Sequence, residues 1–276
     1  MTVQKFVSKE LADGAESVDL VSFIVPAWNE EAVLGRTLDA LKTAAQRLAV
    51  PHEILVVEDA SSDRTAEIGR ERGARVISIN RRQIAAARNA GAGAAGGGLL
   101  VFVDADTSVN PEVVKAAVEA VGRGAVGGGC RVRFGGPLPV YARVLVPILN
   151  RVYGLTGMAA GCFLFCTRAA FKAVGGFDEQ LFASEECQMS LALKRQGRFV
   201  ILREHVVTSA RKLRTYSGRE VLGLLFRLGL GGRAALRRRG SKGMEIWYGP
   251  RRADPAVENP KSESRSLGLT TPHKPA

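Results

Sequence analysis

The chain has 276 residues, 46% of them hydrophobic and 24% charged, which is enough apolar mass to fill a core and excludes a disordered or fibrous chain. Its net charge of +12 raises nucleic acid as a partner, but the surplus is local. Residues 211–242 carry ten Lys or Arg against Glu220 alone, and residues 1–210 carry a surplus of only two, so no nucleic acid substrate is expected for the main domain.

Residues 1–17 mix charge, Gly and Ser without periodicity and read as a flexible lead-in. The apolar run 20–25, stopped by Pro26, predicts a buried strand. Asn29 is a suitable N-cap, with Glu30 and Glu31 in the first turn and Leu34, Leu38, Leu41, Ala45 and Leu48 forming one apolar face. A second unit follows: strand 53–57, an acidic, cap-rich turn from Glu58 through Asp63, and a helix to about Arg72, ended by Gly73. Strand 74–79 and an Ala-rich helix 82–95 lead to strand 99–103. This alternation predicts a mostly parallel sheet covered by helices, with ligands at the carboxyl ends of the strands.

Residues 91–96 satisfy G-x-G-x-x-G, but a helical segment precedes them and a strand follows. That order is the reverse of a dinucleotide site, so the glycines read as a small-residue helix end. Asn110 and Pro111 open a helix ended by Gly122. Residues 125–161 show no readable period; 163–165 is a strand, a short helix follows Arg168, and Glu185 and Glu186 open another helix. Residues 213–240 predict a basic amphipathic helix on which Val221, Leu224, Leu225 and Leu228 share a face, suited to anionic lipid, a partner, or closing the fold. The domain reading is lead-in 1–17, main domain 18–212, basic helical extension 213–245 and disordered tail 246–276. Cys130, Cys162, Cys166 and Cys187 form no C-x-x-C pair and are expected as free thiols. The apolar runs near 140–149 and 221–230 are interrupted and too short to span a bilayer, which predicts a cytoplasmic protein, with a peripheral position at the inner face of the membrane as the further expectation.

The centre of the chain is strand 99–103, which ends in Asp104, Ala105 and Asp106. Two carboxylates one residue apart suit a turn, and equally a hard divalent ion held together with the oxygens of a diphosphate. The segments from Val25 to Glu31, Val56 to Thr65, Ala87 to Gly91, Val103 to Thr107 and Gly175 to Glu179, followed by Glu185 and Glu186, together resemble family 2 glycosyltransferases of the GT-A fold over residues 20–214. The resemblance implies an inverting, non-processive, hexosyltransferase-like enzyme. It would take a nucleotide-diphosphate sugar, an acceptor hydroxyl, and Mn²⁺ or Mg²⁺. It would place Pro26, Ala27 and Glu30 in the nucleoside pocket, Asp59 on the base, Arg82 or Arg88 at the pyrophosphate, Asp104 at the ribose or sugar, and Asp106 on the metal. Glu186 stands at the catalytic base, with Glu185 as its neighbour and rival. His205 is either a further metal ligand or a structural histidine, and Arg211 reaches the diphosphate or stays solvated. The Gln-x-x-Arg-Trp signature of processive members is absent. The alternatives are a sugar nucleotidyltransferase, which should carry a basic loop after the first strand where Trp28, Asn29 and Glu30 stand, and a non-catalytic membrane or nucleic-acid binding module acting through residues 211–242.

Overall fold

The structure, a computed structural model, describes residues 18–237, 244–252 and 254. The expected lead-in, Arg238, Arg239, Lys242 and most of the expected tail lie outside those residues. Strands β1 (Val21–Ala27), β2 (His52–Asp59), β3 (Arg75–Ile79) and β4 (Leu99–Val103) run parallel in the order β3-β2-β1-β4. Helices α1 (Leu34–Leu48), α2 (Thr65–Glu71) and α3 (Ile84–Ala94) connect them.

Every residue of β1 and β4 is buried because alternate side chains enter two different layers. Phe23, Val25, Val101 and Val103 pack with Leu34, Leu38 and Leu41 of α1, whereas Ile24, Leu100 and Phe102 pack with Ala85 and Ala87 of α3. The one buried polar side chain of β1, Ser22, donates to Glu53 and accepts from the Gly97 amide, so its hydroxyl is satisfied.

The other half of the sheet is mixed. After β5 (Thr107–Ser108) and α4 (Pro111–Gly122), the chain forms β6 (Ala125–Gly135), α5 (Val140–Thr156), β7 (Phe163–Thr167), α6 (Arg168–Ala173), α7 (Glu185–Gln196) and β8 (Arg198–Ser209). β7 is antiparallel to β4 and β6, β6 is parallel to β8, and β5 closes the edge antiparallel to β8. α8 (Arg211–Thr215), α9 (Gly218–Leu236) and α10 (Glu245–Tyr248) complete the chain. The expectation of a mostly parallel sheet therefore holds, with the antiparallel pairs confined to the C-terminal half. From β1 the chain proceeds outward to β2 and β3, then returns to place β4 on the other side of β1. Strand order switches there, and the carboxyl ends of β1 and β4 frame a crevice.

Local signals explain most boundaries. Asn110 accepts from the Val113 amide at 2.9 Å and Pro111 follows at the first helical position, as expected. Asn29, in contrast, is not an N-cap. α1 starts at Leu34, and Asn29 takes φ 49° with its Oδ1 accepting from the Ser62 amide at 2.8 Å. Its side chain joins the turns after β1 and β2 instead of capping a helix.

The stretch without a readable period contains β6, whose glycines exist for contact. A Cβ on Gly128 would lie 2.2 Å from the Val200 carbonyl and 2.7 Å from the Phe165 ring. Gly128→Ala is therefore expected to lower stability in chemical denaturation by about 1–3 kcal/mol, since the obstructing atom is backbone. Gly98→Ala, at an exposed position with open space, should stay within about 0.5 kcal/mol.

Candidate active site

The crevice at the carboxyl ends of β1 and β4 is lined by Pro26 and Ala27 of β1, by Glu30, Asp59 and Arg82, and by Asp104 and Asp106. Seven residues singled out in the sequence thus meet in one cleft. The turns that carry them are held by side chains across the loops. Asp63 accepts from the Glu31 amide and Glu31 from the Arg64 amide, both at 3.1 Å. Asp59 accepts from the amides of Arg81, Arg82 and Gln83, each at 2.7 Å, so a carboxylate expected to read a base also anchors the start of α3.

Of the five non-glycine residues with positive φ among the described residues, Arg82 lines this cleft, Asn29 and Ala60 adjoin residues that do, and Ser184 directly precedes Glu185. Left-handed backbone at such residues carries a cost, and its concentration here marks turns fixed by their surroundings.

Arg88 joins Asp104 of the cleft to Glu185 behind it. It is 2% exposed, donates to Glu185 Oε1 at 2.6 Å, to Asp104 Oδ1 at 3.1 Å and to the Gly161 carbonyl at 2.8 Å, and lies 5.3 Å from the Phe177 ring centroid. Of the two arginines expected at a pyrophosphate, Arg82 lines the cleft and Arg88, so engaged, does not. Neighbouring side chains of the same helix start hold the opposite loop. Gln83 donates to the carbonyls of Glu179 and Leu181, and Asn89 both donates to and accepts from the Phe177 backbone. α3 thereby fixes the loop that delivers Glu185 and Glu186.

These two acids differ in environment. Glu185 is buried and paired with Arg88; Glu186 is only partly exposed, and no salt bridge to it occurs among the described residues. Burial first, and then the Glu185 charge, push the Glu186 carboxyl up to about 8, against the opposing pull of Arg88. Asp104 is also raised by burial, with Arg88 acting the other way.

Glu30 receives Arg211 on both oxygens, at 2.9 and 2.7 Å, and Arg251 at 2.6 Å, yet burial still raises its carboxyl. Asp106 is less engaged: Arg211 is 3.8 Å away and the Thr208 hydroxyl 3.4 Å. Asp104 and Asp106 thus present an all-oxygen donor pair suited to a hard cation. No group of three metal-binding side chains gathers among the described residues, so a cation held there needs further oxygens from a ligand. His205 does not join the pair. It stands opposite Arg131 in β8, three residues before Thr208, which is about 10 Å along a strand, and its carbonyl accepts from Asn110.

Several cleft residues escaped the sequence reading: Trp28, Gln83, Lys212, Trp247, Tyr248 and Arg251. The last three belong to the expected disordered tail. Instead, Arg251 donates to the Trp28 carbonyl at 2.9 Å, Arg214 pairs with both oxygens of Asp254, and Tyr248 meets Phe182 edge to face. Arg82 lies 3.2 Å from the Trp28 ring centroid and donates to the Tyr248 carbonyl. The signal was the aromatic pair Trp247 and Tyr248 beside Arg251 and Arg252, an unusual cluster for a solvated tail.

This sheet and cleft define a GT-A glycosyltransferase fold, and solved structures share it. A mannosyltransferase from Pyrobaculum calidifontis, in complex with GDP-Man and Mn²⁺, superposes with a TM-score of 0.60 at 18% identity, covering 83% of this chain and 68% of that one. Glucosyl-3-phosphoglycerate synthase from Mycobacterium tuberculosis superposes with a TM-score of 0.58 at 20% identity, covering 86% and 84%. The family model described as glycosyl transferase family 2 matches residues 22–175, and the chain belongs to that family. An undecaprenyl-phosphate 4-deoxy-4-formamido-L-arabinose transferase from Edwardsiella ictaluri is 34% identical over 117 residues, 40% of this chain and 36% of the relative. The chain spans about a third of the length of such curated relatives.

Arg88→Met is expected to cost about 3–5 kcal/mol in urea denaturation, because it leaves the buried Glu185 carboxylate and the partly exposed Asp104 carboxylate without their cation. A second expectation concerns pH. A carboxyl raised in the fold binds its proton more tightly there than in the unfolded chain, so its contribution to stability is full below about 4.5 and is lost as pH rises toward 8. Glu186→Gln should therefore raise the melting temperature at pH 8 and leave it nearly unchanged at pH 4.5, as thermal melts at the two pH values would show.

Proposed function

We propose that this enzyme transfers a hexosyl-type sugar from a nucleotide-diphosphate sugar to an acceptor hydroxyl, with inversion and with assistance from Mn²⁺ or Mg²⁺. The observation that carries this reading is the buried Arg88 bridge, which fixes a donor-side carboxylate at the end of β4 against an acid pair at the start of α7. Inversion needs a leaving diphosphate held on one side of the sugar carbon and a proton acceptor on the other, and a fixed relation between these acids supports that reading.

Pro26, Ala27 and Glu30 line the nucleoside end, where Asp59 retains lone pairs for a base. Asp104 faces the ribose or sugar. Asp106, the less engaged acid, is the ligand for the cation, with Asp104 beside it, and a bound cation neutralises charge developing on the diphosphate. Arg82 and Arg211 stand at the cleft as cationic partners for the same phosphates. Glu186 takes the proton from the acceptor hydroxyl. Its raised carboxyl favours that role, whereas Glu185 is committed to Arg88 and serves as a positioning residue. The complexes of fold neighbours with GDP-Man and Mn²⁺, and with Mn²⁺ and UDP, support the donor class and the cation.

No helix among the described residues is long and apolar enough to cross a membrane. A peripheral position at the inner membrane face, contacted through residues 213–240, accompanies this reading. On α9, however, Val221 and Leu224 of the expected apolar face pack inward, and Leu225 is exposed at 37%. The Leu228 side chain lies outside the described ones.

Calorimetry with UDP or GDP and Mn²⁺ tests the site: Asp106→Asn should abolish metal-dependent nucleotide binding, and undiminished affinity would remove Asp106 from the cation. Glu186→Gln should spare that binding and lower turnover by about 10²- to 10⁴-fold. The rate of the unaltered enzyme should rise with pH up to about 8, as Glu186 loses its proton.

A further inference from the structure

Helix α5 carries an unusual outer face. Val140, Val144, Ile148, Val152 and Leu155 follow one another at three- or four-residue steps and are each between 47% and 82% exposed. Such spacing places them in one stripe along a seventeen-residue helix. Only Ala142 and Val146 of this helix are buried, so α5 rests on the fold by a narrow edge and turns its broader apolar side outward.

The stripe continues onto a second helix. The Tyr141 hydroxyl donates to the Leu213 carbonyl at 2.7 Å and its ring abuts Gly218, which joins the start of α5 to the start of α9. From there Leu222 and Phe226 extend the exposed apolar surface at 52% and 67%. A soluble monomer rarely leaves this many large apolar side chains together without a partner.

Charge decides which partner. From residue 120 to residue 177 the sequence contains no Asp or Glu, and Arg131, Arg133, Arg143 and Arg151 are all exposed beside or within the stripe. A second copy of this chain meeting the face about a two-fold axis would set arginines against arginines. An apolar stripe flanked by cations, with Glu220 at the start of α9 paired to Arg252, matches the boundary between acyl chains and anionic headgroups, where long basic side chains reach outward to phosphate.

We infer that the outer face of α5, extended by the exposed side of α9, docks on an anionic lipid bilayer. The inference rests on the peripheral reading of residues 213–240 and moves the principal contact to α5, independently of the transfer chemistry. The geometry adds a consequence. Tyr153, next to Val152 on α5, brings its hydroxyl within 3.8 Å of the Cys187 sulfur, beside Glu186, so the helix start that carries the proposed base adjoins the lipid-facing helix.

The test is flotation of the full chain with vesicles of phosphatidylcholine, with and without phosphatidylglycerol. The unaltered protein should partition onto the anionic vesicles, and the double variant V144D/I148D should lose at least about tenfold in partitioning while keeping its melting temperature and its UDP or GDP affinity. R219E/R227E should lose less. Absence of partitioning by the unaltered protein overturns the inference together with the peripheral reading. Wild-type partitioning by V144D/I148D with loss in R219E/R227E overturns the inference and leaves that reading standing. A dimer in sedimentation velocity that V144D/I148D dissociates would assign the face to a second copy and overturn it as well. Nucleotide affinity, measured without vesicles, reports separately on the glycosyltransferase assignment.

Discussion

The structure depends on a cation almost wholly withdrawn from solvent. Removing a guanidinium from water is costly, and Arg88 sits among Phe177 and the core of α3 only because Asp104, Glu185 and the Gly161 carbonyl receive its protons. Apolar residues could fill that volume with equal or greater stability. What they could not do is fix two oxyanions, one ending β4 and one opening α7, at a set separation. The strand and the helix are far apart in sequence, and only Asp104 of the pair lines the cleft, so this bridge ties the end of β4 to the start of α7 beside the site. The planar fork of arginine suits the task, since it donates to both carboxylates at once where a lysine ammonium would favour one.

Around that bridge the loops at the carboxyl ends of the strands hold one another. Asn29 with Ser62, Glu31 with Arg64, and Asp63 with Glu31 join the turns after β1 and β2, while Asp59 gathers three successive amides before α3. Each bond satisfies a backbone group that would otherwise need water, and together they keep left-handed residues in place. The segment from α10 to Asp254 adds a further wall. Arg251 joins Arg211 on Glu30, and Arg214 holds Asp254, so the wall is attached by charge at both ends. Trp28 lies against the guanidinium groups of both Arg82 and Arg251, which places an aromatic face within a cationic rim.

The sequence made the parallel half of the fold legible because buried strands and amphipathic helices leave periodic records there. Strand 99–103 ended where its carboxylates began, and Asn110 capped its helix. The mixed half was obscured by its own packing: β6 is rich in glycine because the Phe165 ring and the Val200 carbonyl crowd it, and glycine carries no hydrophobic signal. Asn29 misled for a different reason, since one side chain offers the same chemistry to a helix start and to a neighbouring turn, and only tertiary placement decides between them. The acids and Arg82 of the cleft could be named individually. That Arg88 would be buried and Arg251 drawn into the cleft depended on contacts across 97 and 223 positions, which no local pattern records.

The same bridge separates two adjacent acids by function. Glu185 and Glu186 are neighbours on one helix turn and, as free side chains, are chemically equal. Arg88 can pair at close range with only one of them while it also holds Asp104, and the geometry gives it Glu185. Glu186 is then left in a crowded surrounding beside a fixed negative charge, and burial together with that charge raises its affinity for a proton. A carboxylate held in this way binds a proton more tightly than an ordinary one. The acid without the ion pair is thus the one with the raised proton affinity, because its neighbour holds the cation, and the bridge differentiates the two acids.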